Sequence, residues 1–519
     1  MLKKVLIGLL ALVVVGSIGL YFLARSVFTH DSVRAAIAEQ LSTSLGQPVA
    51  IGGISASIYP RVTMNLSGVA IGRPARIQVA KLEVGTDFRA LLSRRIEHAA
   101  LRLTGATIEL PLPAFAVPSA PPPPSGDSRS SSVEIVSIDE IALRDVTITS
   151  GGRTLRGDIE VVPQGQGVAV RRIALVADGA TIEITGQITD LSGPVGELSI
   201  TSGALNFDEL LAFVSDFAGS AGAAASGGAP PARTADATAG RPVAMNIGVS
   251  LEAEGAAMGG LSLQKLSGRA RITPAGMALE PIRFGMFGGN FDGALTLTLA
   301  ETPAFRLNAA LSGVDMGAVT TFAGSPDTIT GRLTGTLELS GRGMDAASVL
   351  RSTRGTARVE ITNGTVKRLG LVRTILLATS GRSGAVAQSA TNVSNDEPFA
   401  RLAATLAVAN GSASTADLRF ESNDLLLTAA GVVRLDGASM NLAGDVQLSD
   451  KLSAQVGRDL VRYTQDQGRV TLPVVITGSA DNPRVRIDVA SVARRAITNR
   501  AKEEVQGAVK KGLGGLFGR

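Results

Sequence analysis

The chain has no cysteine, no tryptophan, only two histidines and few aromatic rings among its 519 residues. Without cysteine there are no disulfide staples, no thiolate metal sites and no cysteine nucleophile. His30 stands just after an N-terminal apolar run, and His98 lies in a stretch with strand-like alternation. Two such isolated imidazoles make neither a metal centre nor the base of a catalytic triad. The patterns H-E-x-x-H, G-x-S-x-G and G-x-x-x-x-G-K-[ST] do not occur. The adjacent carboxylates Asp139-Glu140 and Asp208-Glu209 read as solvated turn and helix-start charge. These absences predict a protein that is not an enzyme and needs no cofactor or metal.

Charge is scarce as well, at 18% of residues where about 25% is usual. The net charge of +5 is unevenly placed, because Arg484 to Arg519 holds nine Lys or Arg against three Asp or Glu. The body before it is close to neutral. A nucleic-acid binder carries its basic face on the folded part, so no nucleic-acid partner is expected. With 60 glycines and an apolar fraction built on Ala, Leu, Val and Ile, the composition suits many short, turn-linked strands.

One long hydrophobic run is present, Val5 to Leu23, preceded by Lys3-Lys4 and followed by Arg25. As a helix it measures about 28 Å, one hydrocarbon core. A cleaved signal peptide has a shorter core and a small-x-small site after it, which Leu23 to Val27 does not offer. An uncleaved anchor over residues 1–29 is the favoured reading. The paired lysines keep the N-terminus in the cytoplasm, leaving the body across the membrane, in a bacterial periplasm or a eukaryotic lumen.

Ser32 to Leu45 has Val33, Ile37 and Leu41 at helical spacing and ends at Gly46. From there the period changes to two. Thr181 to Thr185, Leu295 to Leu299, Val470 to Ile476 and Arg484 to Val489 alternate apolar and polar residues between Gly, Pro, Asn or Asp. Each such strand has one greasy and one wet side. Short helices are predicted at Asp87 to Ser93, Asn206 to Phe217, Asp315 to Phe322, Asp345 to Ser352, Lys367 to Thr379 and Asp450 to Tyr463. They are too small to cover so many greasy faces.

Pro111 to Ser132 and Ala218 to Pro242 are Pro/Ser-rich and Gly/Ala-rich. They divide the body into β regions at 30–110, 133–217 and 243–490. They read either as domain linkers or as insertions at the edge of one continuous sheet, and the second reading is favoured. The tail, 491–519, returns to helical spacing with an apolar face ringed by Arg494, Arg495, Arg500, Lys502, Lys510 and Lys511. It reads as a basic amphipathic helix for an anionic membrane surface, against the alternative of a solvated tail.

Four blocks carry a resemblance. Ala38 to Gly72 places a helix, a Gly-x-Pro-Val turn, a strand, and then P-x-V-x-x-x-L and V-x-I-G in order. Ile77 to Leu110 holds two strands around DFRALLSRRI. Pro303 to Leu369 contains GRLTGTLELSGRGMDAASVLRSTRGTARVEITNGTVKRL. Phe399 to Leu448 reads FARLAATLAVANGSASTADLRFESNDLLLTAAGVVRLDGASMNLAGDVQL. Together these resemble the AsmA family of bacterial envelope proteins, relatives of TamB.

The resemblance implies an inner-membrane anchor and a periplasmic body built as an elongated, curved antiparallel β-sheet forming a repeating groove. It also implies a part in outer-membrane lipid homeostasis or assembly, with phospholipid or another acyl lipid as cargo and envelope assembly proteins as partners. Physical chemistry meets it halfway. Exposing an acyl chain to water costs about 0.8 kcal/mol per CH₂, on the order of 12 kcal/mol for sixteen carbons, and a greasy sheet face removes most of that. The candidate lining is Leu295, Leu297, Leu299, Leu333, Leu337, Leu339, Leu402, Leu406, Leu425 and Leu427. The competing readings are an ordinary β-sandwich with these leucines as core, and a scaffold that recruits proteins through its strand edges.

Overall fold

The computed structural model describes residues 31–57, 62–86, 95–96, 99–110, 134–135, 138–150, 152–177, 180–190, 193–210, 212, 245–379, 393–454, 464–466, 469–494, 497, 498, 501 and 505. The expected N-terminal anchor, the helix at 87–93 and most of the basic tail helix lie outside these residues. Among the described residues no helix is long and apolar enough to cross a membrane.

The chain is mainly β and divides into two compact units, residues 1–274 and 275–519. The division falls inside the region 243–490 that the sequence suggests as one body.

The first unit opens with helix α1 (Asp31–Leu45). It stops at Gly46, whose φ of +64° suits glycine. The strands follow: β1 (Val49–Ser57), β2 (Val62–Ile71), β3 (Ile77–Thr86), β4 (Ala99–Glu109), β5 (Ile138–Ser150) and β6 (Arg153–Gln164). They continue with β7 (Gly167–Ala177), β8 (Ala180–Asp190), β9 (Val195–Asn206), β10 (Asn246–Met258) and β11 (Leu261–Thr273). Each pairs with the next in chain order.

Two of these pairs, β4 with β5 and β9 with β10, are parallel. The remaining pairs are antiparallel, as the sequence leads one to expect. An antiparallel neighbour is reached by a tight hairpin, whereas a parallel one requires a crossover of a dozen or more residues. The Pro/Ser-rich and Gly/Ala-rich stretches fall in those two crossovers. They are insertions between adjacent strands of one sheet.

The second unit runs β12 (Gly276–Met286), β13 (Gly289–Thr298), β14 (Ala304–Asp315), α2 (Met316–Phe322), β15 (Ile329–Arg342), α3 (Ala346–Ser352), β16 (Arg354–Val366) and α4 (Leu371–Thr379). It continues with β17 (Glu397–Ala409), β18 (Ser412–Glu421), β19 (Leu425–Arg434), β20 (Met440–Leu448), α5 (Asp450–Ser453), β21 (Arg469–Gly478) and β22 (Pro483–Ile487). Its labelled strands pair antiparallel in chain order. The short helices begin where a side chain supplies a cap. Asp315 accepts from Ala318 N at 3.1 Å, and Asp345 accepts from Ser348 N at 2.8 Å in a full capping box.

Register decides what these sheets present. In the first unit Ile54, Leu66, Leu82, Leu103, Leu143, Ile159, Ile173, Ile184, Ile200 and Leu251 form one unbroken cross-strand row from β1 to β10. In the second, Val314, Leu333, Ile361, Leu402, Phe420, Leu427, Val446 and Leu472 do the same from β14 to β21. The opposite face of the first unit carries cross-strand ion pairs, Arg102–Glu140 at 3.1 Å and Arg144–Glu160 at 3.2 Å among them. Exposed pairs of this kind contribute at most about 1 kcal/mol each, so the apolar rows dominate.

Glycine interrupts the rows where neighbouring backbones close in. Gly186 and Gly355 have φ of +140° and +147°. A Cβ there would lie 2.1 Å from the Glu197 carbonyl and 1.9 Å from the Glu338 carbonyl, respectively. No other residue fits without moving the next strand.

Burial is uneven along these rows, and that yields a stability contrast. Leu472→Ala, at a fully buried site, should cost about 2–5 kcal/mol. Leu297→Ala, at a half-buried site, should cost less than half as much. Urea denaturation midpoints of the two variants check the difference.

Candidate functional site

Among the described residues no three His, Cys, Asp or Glu side chains converge on a metal-sized site. What the fold builds instead is an apolar sheet face in each unit, covered at one end and half-open elsewhere.

In the first unit α1 supplies the cover. Ile37, Ala38 and Leu41 pack on a buried cluster of Val49, Ile51, Leu66, Val69, Val79, Ala106 and Val146. Further along the same face Ile159, Ile173, Ile184, Ile200 and Leu251 are only half-buried.

In the second unit α4 does the covering. Leu371, Val372, Ile375 and Leu376, at i, i+1, i+4 and i+5, turn one stripe of this short helix onto the sheet. They join a core with Phe399, Phe420, Leu425, Leu427, Val446, Leu448, Leu472 and Val474. The rings of Phe399 and Phe420 meet at 5.3 Å, an arrangement typical of packed aromatic pairs.

A cluster just ahead of β17 holds α4 in place. Asn395 accepts from Gly370 N at 2.7 Å through its carbonyl and from Arg373 Nη1 at 2.8 Å through its side chain. Asp396 pairs with Lys367 at 3.0 Å and accepts from Arg368 N at 3.1 Å. The Lys367 ammonium holds the Asp396 carboxyl below the usual carboxylate range. Glu397 reaches under the helix and accepts from Val372 N at 3.1 Å, satisfying an N–H that the helix itself cannot. It is only 3% exposed. Burial pushes its carboxyl above the usual range, and the bonds from the Val372 and Leu371 backbone counter this only in part.

The ten leucines named from the sequence fall into three groups. Leu425 and Leu427 are 3% and 2% exposed, within the same buried cluster as the α4 side chains. They are buried in the core that α4 joins and line no open surface. Leu333 and Leu402 are half-buried and pack against the edge of that core. Leu295, Leu297, Leu337, Leu339 and Leu406 are half-buried and lie outside it, while Leu299 is 64% exposed at the end of β13.

Cross-strand register brings the open positions together. Leu279, Leu295, Leu307 and Leu339 share one row, Met277, Leu297 and Phe305 the next, and Ala309, Leu337, Ala357 and Leu406 a third. The stacked rings of Phe284 and Phe291, 4.4 Å apart, extend the surface across β12 and β13. Helices α2 and α3 flank β15 but bury no side chain of their own. The resulting face carries aliphatic and aromatic side chains, with ion-pairing groups such as Arg283–Asp292 and Arg401–Glu360 on the opposite side of these strands.

Sequence reasoning missed the first unit's row and the role of Glu397. Ile159, Ile173, Ile184 and Ile200 each sit within an alternating strand, which was a usable signal. Their alignment depends on register, which one sequence does not reveal. Glu397 carries no local mark, since its partners lie on a helix 25 residues earlier.

Comparison with known proteins gives two findings. The model of the AsmA family matches residues 222–418. The protein AsmA of Escherichia coli (strain K12) is 20% identical over 354 residues, covering 65% of this chain and 55% of that protein. The chain thus spans about half the length of the curated relative it matches. No solved structure matches.

The Glu397 carboxyl makes a testable contribution. A carboxyl raised in the fold favours the protonated form, so its stabilisation is full at low pH and lost as pH rises through the folded value. Glu397→Gln keeps an acceptor for Val372 N without the buried charge. It should match the parent near the acid end and exceed it in stability at neutral and mildly basic pH. Glu397→Ala orphans the helix N–H groups and should be less stable than Glu397→Gln by about 1–2 kcal/mol at every pH. Thermal melts across pH distinguish the three proteins.

Proposed function

The chain belongs to the AsmA family, and from that premise we propose that its half-open apolar sheet faces carry acyl lipid in the cell envelope. The observation that supports this most is the set of matched rows through Leu295, Leu297, Leu337 and Leu339, half-buried and outside any core cluster. Contiguous exposed apolar surface of this kind marks a binding site more often than an idle surface. A neutral apolar face discriminates against charged and strongly polar ligands and imposes no headgroup chemistry.

In this reading the Val5 to Leu23 run tethers the body to the bacterial inner membrane, with the N-terminus cytoplasmic and both units in the periplasm. Phospholipid drawn from that membrane lays its chains along the face while its headgroup stays in water. Each CH₂ kept off water lowers the barrier to transfer by about 0.8 kcal/mol. The process served is lipid supply to the outer membrane.

Photo-crosslinking in native membranes tests the proposal. A photoreactive residue in place of Leu297 or Leu337 should yield lipid adducts. The same residue in place of Leu427, in the buried cluster that α4 joins, should yield none. Protein adducts without lipid at the first two sites would support the scaffold reading instead, and the transport proposal would fall.

A further inference from the structure

The end of the strands around β14, β15 and β16 combines two features that neither sheet face requires. On the wet face, Thr296, Arg306, Ser340 and Arg354 form one cross-strand row over β13 to β16. Arg342 lies two residues beyond Ser340 on the same face, opposite Ala304. With strands about 4.8 Å apart, the three guanidinium groups surround one shallow hollow, lined also by Thr296, Thr298 and Ser340.

None of the three arginines forms an ion pair among the described residues, although most arginines of the neighbouring strands do. The nearest carboxylate on this face, Glu338, sits one row further in, between Asn308 and Thr356, and pairs with none of them. Asp345 has its carboxylate committed to the α3 cap. Glu301 is the remaining acid at this rim, in the loop after β13.

The second feature is apolar. Leu299, Met344 and Leu350 are 64%, 77% and 38% exposed. Hydrogen bonds from the backbone at the end of β15 hold the pieces that carry them together. Gly343 N donates to the Pro303 carbonyl at 3.0 Å, and Arg342 N donates to Ser352 Oγ at 2.9 Å. Unpaired arginines interleaved with exposed aliphatic tips match the two chemistries of an anionic bilayer surface, phosphate above and hydrocarbon below.

We infer that this rim is a docking surface for an anionic phospholipid bilayer: Arg306, Arg342 and Arg354 bind lipid phosphate, and Leu299, Met344 and Leu350 enter the headgroup boundary. Arginine suits the task because its planar fork binds phosphate oxygens in pairs. Docking here is independent of whether the apolar face carries acyl chains, so the two proposals stand or fall separately.

The absence of cysteine makes a clean test available. Met344→Cys in the full chain, held in neutral phosphatidylcholine nanodiscs, is labelled with an environment-sensitive fluorophore. Vesicles containing phosphatidylglycerol should shift its emission to the blue, and phosphatidylcholine vesicles should not. The response should weaken as salt is raised. Replacing Arg306, Arg342 and Arg354 together by serine should reduce apparent affinity by on the order of 10- to 100-fold, with an unchanged circular dichroism spectrum. Should the triple variant misfold, the single arginine-to-serine variants and the salt titration of the parent decide.

An equal response to both vesicle types, or none to either, would overturn the inference. So would a response to inorganic phosphate alone with no dependence on vesicles, which would mark a site for free phosphate.

Discussion

A β-sheet satisfies its backbone hydrogen bonds sideways, through neighbouring strands, and leaves the chemistry of its two faces to side-chain parity. A slip of one residue in any pairing would send a whole strand's leucines and isoleucines to the wet side. In both units the pairing runs apolar residue against apolar residue from strand to strand, from Ile54 to Leu251 and from Val314 to Leu472. Everything proposed for this molecule follows from that alignment. It concentrates apolar surface on one side and leaves ion pairs and hydroxyls on the other.

Such a face must be covered by something, and the chain's own helices cover only part of it. Helix α1 closes one end of the first unit and α4 one end of the second. Each is a few turns long, and a helix of that size spans only a few strands. Beyond them the rows remain half-buried. Leu425 and Leu427 illustrate one condition and Leu295 and Leu297 the other, although all four alternate alike in the sequence. What separates the pairs is membership of the buried cluster that α4 joins.

Much of this was legible from residues alone. The change to a period of two after Gly46, the short helices at Asp315 and Asp345, and the shortage of covering helices all carry local signals: turn residues, caps and alternation. Family likeness was also legible in the blocks from Pro303 to Leu369 and Phe399 to Leu448. Three things were not. The parallel pairing of β4 with β5 and of β9 with β10 arises from crossovers whose composition carries no direction. The burial of Leu425 and Leu427 depends on where α4 lands, a tertiary fact. The arginine cluster at 306, 342 and 354 joins three strands through register, so spacing along the chain conceals it.

A density map of the full chain, purified from its own membrane without detergent and solved by electron cryomicroscopy, tests the central claim most directly. The account expects elongated non-protein density lying along Leu295, Leu297, Leu337 and Leu339, and none between α4 and Leu427. A map in which the protein's own side chains fill that surface, with no room for a guest, would contradict it.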